Sequence, residues 1–129
     1  MRKFIPLACA LVLLVHGACA AQTAAKPGDN FTILGVGTES CGAWRADRVD
    51  PNGPESMADM AWIGGYITGF NRYTGGTEHN ISGETDMQGI LAGMDDYCRG
   101  HPLDSVETAA EILIDDLLMR KIQREWAPK

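Results

Sequence analysis

The chain has 129 residues and is acidic overall, with 17 Asp and Glu against 11 Lys and Arg and a formal charge of −6. That size suits one domain with one modest core. The acidic balance argues against nucleic acid or anionic lipid as a partner and favours a basic one.

Arg2 and Lys3 precede an apolar run from Phe4 to Val15 that closes on Ala18-Cys19-Ala20. This three-part pattern is that of a secretory signal peptide (residues 1–20) with cleavage expected after Ala20. The run is about a dozen residues, below the roughly 18 needed to span a bilayer. His16 stands where a lipoprotein signal wants an aliphatic residue, so the expectation is export without a lipid and no membrane association after cleavage. Loss of Arg2 and Lys3 moves the charge of the mature chain to −8, and loss of Cys9 and Cys19 leaves only Cys41 and Cys98. In an oxidising compartment these two are expected to pair. They close a loop of 57 residues, which chain entropy values at about 4 kcal/mol before any strain. Two cysteines and the scattered His79 and His101 lack the ligand spacing of a zinc site, so no metal and no cofactor is expected.

Residues 21–37 read as a leader: small and polar to residue 30, then apolar but glycine-broken from Phe31 to Gly37, with the character of a short extended piece laid on the core. Four helical segments follow. The first runs from about Thr38 or Ser40 to Arg48, with Cys41 and Trp44 on one face, and the turn chemistry of Asp50-Pro51-Asn52-Gly53-Pro54 stops it. The second is expected from Ser56 as N-cap to about Tyr73. Met57, Met60, Gly64, Ile67 and Phe70 recur there at helical spacing, and Trp62, Tyr66, Gly69 and Tyr73 form a second apolar flank. A helix apolar on both flanks is either sandwiched or shared with a partner. Residues 74–84 form a polar, glycine-rich loop. The third helix opens on a Thr85-x-x-Gln88 capping box and carries Met87, Ile90, Leu91, Met94 and Cys98 as its stripe. Glycine pairs one turn apart, Gly65 and Gly69 in the second helix and Gly89 and Gly93 in the third, suggest close contact between these two helices. The last helix, capped by Asp104 with Glu107, buries Val106, Ala109, Ala110, Leu113, Ile114 and Leu117 and reaches about Arg124. The fold class is therefore all-α: a small bundle of about four helices stapled by one disulfide, with the folded domain over residues 38–126.

Catalytic constellations fare badly. Nucleophilic catalysis needs a nucleophile, a base and an orienting group together, and both mature cysteines are expected in the disulfide. His79 and His101 read as solvated loop residues. Asp95-Asp96 and Asp115-Asp116 diverge by about 100° on a helix and read as solvated faces. The Gly64-Gly65 segment lacks the Gly-Lys-Ser/Thr of a phosphate loop. No enzyme is expected. More informative are Ile112, Met119 and Trp126, seven apart and opposite the core stripe of the last helix, with Ile122 beside them. They are scattered surface apolars, or a C-terminal turn that folds back over Trp126, or an interaction ridge joined by Trp62, Tyr66 and Tyr73.

These residues also form an ordered set: Cys41-Gly-Ala-Trp44, then Trp62-Ile-Gly-Gly65-Tyr66-Ile-Thr-Gly69, then Asp86-Met-Gln-Gly89, then Asp96-Tyr97-Cys98. The set resembles the Rap/Tai immunity family of type VI secretion over about residues 35 to 120. The resemblance implies a helical periplasmic protein that binds a peptidoglycan amidase effector and blocks it, often as a homodimer, with Cys41 and Cys98 as the disulfide. It also implies that Trp44, Trp62, Gly65, Tyr66, Gly69, Gly89 and Tyr97 are structural. Family contact residues do not carry over; for the effector the expected contact is the 74–84 loop, with Glu78 and His79 at its tip. The rival reading is an Hde-like periplasmic acid-stress chaperone, which would unmask apolar surface as its carboxylates protonate.

Overall fold

The computed structural model describes residues 31–74, 80–81, 83 and 85–127. The segment expected to be a signal peptide, the polar part of the expected leader and the loop tip with Glu78 and His79 lie outside the described residues. Four helices follow a 3₁₀ turn at Gly35–Thr38: α1 (Cys41–Asp47), α2 (Pro54–Tyr73), α3 (Met87–Gly100) and α4 (Val106–Glu125). All lie in one compact unit, Thr32–Lys129. The small all-α bundle is thus as expected, and Cys41 and Cys98 are bonded with Cα atoms 4.8 Å apart. No described helix is long and apolar enough to cross a membrane.

Three of the four helix starts differ from expectation. For α2 the N-cap is Gly53, with Pro54 at the first helical position. Proline suits that position because its missing N–H would have no helical partner anyway. Ser56 is therefore inside the helix and fully buried. The α3 cap is Asp86, whose Oδ1 accepts from Gly89 N at 2.9 Å; the Thr85 hydroxyl instead donates to Asp86 O. For α4 the cap is Ser105, accepting from Thr108 N at 3.1 Å. Asp104 is diverted to the Tyr97 hydroxyl, which donates to its Oδ2 at 2.7 Å.

Capping serines also join α1 to α4. Ser40 and Ser105 form an antiparallel bridge, with Cys41 N donating to Asp104 O at 2.8 Å and Val106 N to Glu39 O at 2.9 Å. Ser40 Oγ accepts from Ala43 N as the α1 cap. The two helices thus start side by side, one residue from the disulfide.

The core gathers Cys41 and Trp44 from α1, Ile63 and Ile67 from α2, Ile90, Leu91, Met94 and Cys98 from α3, and the whole expected α4 stripe. The α2 stripe is shifted from expectation. Met57 is exposed, and the inward face is Ser56, Asp59, Ile63 and Ile67. Two polar residues at its start hid this face from a hydrophobic pattern. The glycine pairs do not pack α2 on α3. A side chain at Gly65 or Gly69 would meet nothing within 4 Å, Gly89 backs on its own Thr85, and Gly93 backs on Leu113 of α4.

The end of the leader is a 3₁₀ strap. Trp62 Nε1 donates to Leu34 O at 2.8 Å, and Gly35 sits under the same indole at φ +69°, the left-handed region that glycine enters without penalty. Gly37 is buried, and a Cβ there would clash with the edge of the Trp62 indole and with Ile33. Trp62 in turn stacks on Tyr66, centroids 5.0 Å apart.

Candidate functional site: an exposed ridge on a braced frame

A second brace stands beside the disulfide. Asp95 was expected on a solvated face; instead its Oδ1 accepts from the Trp44 indole N–H at 2.8 Å. Arg48 adds a two-pronged contact, Nε to Oδ1 and Nη2 to Oδ2, both at 3.2 Å. Its remaining nitrogen, Nη1, donates to Ser56 Oγ at 3.2 Å. Such paired guanidinium–carboxylate bonds fix orientation as well as distance. One arginine thus ties the end of α1 to α2 and α3. Asp96, the neighbour in sequence, does face solvent, where it pairs with Arg99.

Helix α4 carries the apolar ridge opposite its own buried stripe. Ile112 is 48% exposed, Met119 52%, Ile122 40% and Trp126 83%. The fold-back reading for Trp126 is thereby overturned. Residues seven apart drift by only about 20° around a helix, so Ile112, Met119 and Trp126 share one face over about 21 Å. At about 100° per residue, Asp115 and Asp116 fall on either side of this face, whereas Arg120 and Arg124 lie off it and, with Gln123 and Ala127, line a separate surface hollow of about 380 Å³. Arg120 pairs with Asp116 at 2.7 Å.

Trp62 and Tyr66 do not extend the ridge as expected. Trp62 holds the strap, and Tyr66 lies against Glu107 of α4. Burial, then the charges of Glu107 and Glu111, push the Tyr66 phenol up to about 12. Glu107 is itself raised, by burial first and by Glu111 second. Tyr73 is exposed at the far end of α2, with Arg72 over its ring.

The loop that was expected to carry partner contacts is pinned at its described end. Ile81 is fully buried, its N–H donates to Asn71 Oδ1 at 2.9 Å, and Lys121 Nζ donates to Asn80 O at 3.2 Å. Ile81 was missed at the sequence level; an isolated isoleucine in a polar loop was its one visible signal.

Of the residues with an expected structural role, Trp44 is fully buried, Trp62 and Tyr66 are half-buried, and Tyr97 stacks on His101 at 4.3 Å while bonding Asp104. No group of three or more His, Cys, Asp or Glu among the described residues could hold a metal ion. Comparison with protein-family models, curated proteins and solved structures gives no match to this chain.

Proposed function

We propose that this chain is an exported, periplasmic binding protein, not an enzyme, that inhibits a secreted peptidoglycan amidase in the manner the Rap/Tai resemblance implies. The observation that carries this reading is the ridge Ile112–Met119–Trp126, exposed on a helix whose opposite stripe is wholly buried. Three large apolar side chains in line form a surface suited to a protein partner. The frame behind it is stapled by a disulfide and braced by Arg48 and Asp95, so the ridge is preorganised, which lowers the ordering cost of binding. A disulfide fits an oxidising compartment, and the signal-like segment at residues 1–20 supplies the route there.

The chaperone reading requires the fold to loosen as carboxylates take up protons. The two carboxyls with raised pKa, Asp59 and Glu107, work the other way. A carboxyl raised in the folded state favours the fold once protonated. This supports the inhibitor over the chaperone.

The experiment is an amidase assay on purified sacculi, with the enzyme encoded beside this chain as first candidate. Stoichiometric inhibition by the mature chain, lost on Met119→Asp, is the expected result. No inhibition, together with suppressed aggregation of a client protein at about pH 2–3, well below ordinary carboxylate pKa values, would replace it with the chaperone.

A further inference from the structure

Asp59 lies one turn after Ser56 on the inward face of α2, and only 1% of it is exposed. Its Oδ2 has no hydrogen-bond partner among the described residues. A buried carboxylate oxygen left in that state is costly when charged and far less so when protonated. The surroundings add to the difficulty. Charges act on Asp59 from its neighbouring elements: Glu39 from the connector behind the strap, Asp47 and Arg48 from the end of α1, and Asp95 from α3. Three of these are acids. The cation, Arg48, directs its N–H groups at Asp95 and Ser56.

We propose that Asp59 makes the junction of α1, α2 and the strap a proton-binding latch, which grips more tightly as the surroundings become mildly acidic. The buried position, the orphaned oxygen and the ring of acids each favour the neutral acid in the folded chain. Burial first, then Asp47 and Glu39, lift the carboxyl from 3.8 to about 6. The sign follows directly. Between about pH 4 and 6 the folded chain holds a proton that the unfolded chain has released, so stability falls as pH rises through that window. Above it the latch carries its full penalty. Asp59 does not touch the ridge in this reading, so the inference stands or falls apart from the proposed partner.

The test is urea unfolding of the disulfide-intact mature chain and of Asp59→Asn, measured from about pH 4 to pH 7.5. Asparagine has the shape of the protonated acid and cannot titrate. The ratio of the two unfolding constants, wild type over variant, should climb by up to about tenfold per pH unit between about pH 4 and 6 and then level off. A ratio that does not change with pH would overturn the proposal. Carbon NMR of the Asp59 carboxyl in the wild-type chain gives the same answer even if the variant fails to fold. A midpoint above about 5 sustains the latch, and one near the ordinary value of about 4 removes it.

Discussion

The Trp44 indole donates to Asp95 across 51 residues of chain, and the same carboxylate is gripped by Arg48. This joins the first and third helices by a route independent of Cys41–Cys98. The two links differ in kind: the disulfide limits the unfolded chain, whereas the carboxylate orients two side chains in the folded one.

Removing the carboxylate tests the brace. Asp95→Ala leaves the Trp44 N–H and the half-buried Arg48 guanidinium without their acceptor and should cost about 1.5–3 kcal/mol, the range for hydrogen bonds to a charged group. Arg48→Ala should be non-additive with it in a double-mutant cycle, by about 1 kcal/mol, because the two share one contact. Chemical denaturation reads both.

The disulfide closes a separation of 57 residues. Replacing both Cys41 and Cys98 by alanine should lower stability by about 4 kcal/mol on the chain-entropy account. A fall in denaturation midpoint with an unchanged helical circular-dichroism spectrum is the expected outcome.

Two glycine substitutions separate packing from permissiveness. Gly37→Ala puts a methyl into Trp62, with Ile33 Cγ2 also at 2.6 Å, so the strap must shift. We expect a loss of about 1–3 kcal/mol, the cost of overpacking, and a red-shifted Trp62 emission. Gly65→Ala meets nothing within 4 Å on an exposed helix position and should stabilise by up to about 1 kcal/mol.

Tyrosine ionisation has a defined order. Tyr66 should ionise near pH 12, held there by burial and by Glu107. Absorbance titration should lose this late step in Tyr66→Phe. In Glu107→Gln the step should move down while staying above the ordinary value of about 10, since burial is the larger cause.

Ridge substitutions should separate stability from binding. Met119→Asp and Trp126→Ala change exposed side chains and should shift folding stability by less than about 0.5 kcal/mol. Affinity for the partner should drop by more than about tenfold for Trp126→Ala, because buried tryptophans dominate interface energetics.

Much of the frame was legible because it rests on periodicity. The α4 stripe from Val106 to Leu117 and the α3 stripe from Ile90 to Cys98 follow the helical repeat and are buried as read. The α2 face was not, because Ser56 and Asp59 lead it, and only the tertiary contact with Arg48 shows why Ser56 goes inside. Helix starts shifted for a local reason: where Ser, Thr and Asp cluster, as at Thr85-Asp86 and Asp104-Ser105, several side chains can cap, and the backbone chooses one. Asp95 escaped notice because its partners are 51 and 47 residues away. The ridge, by contrast, was visible as a seven-residue spacing opposite the core stripe.

Under the proposed function, α4 of this stapled helical frame docks on a peptidoglycan amidase and stops it. The decisive measurement is isothermal titration of the chain from residue 21 onward into a purified peptidoglycan amidase, with the sacculus assay on the same mixture. Saturable binding, loss of hydrolysis at equivalence, and neither effect with Met119→Asp are expected. Full hydrolysis in the presence of excess wild-type chain, with no heat of binding, would rule the proposal out.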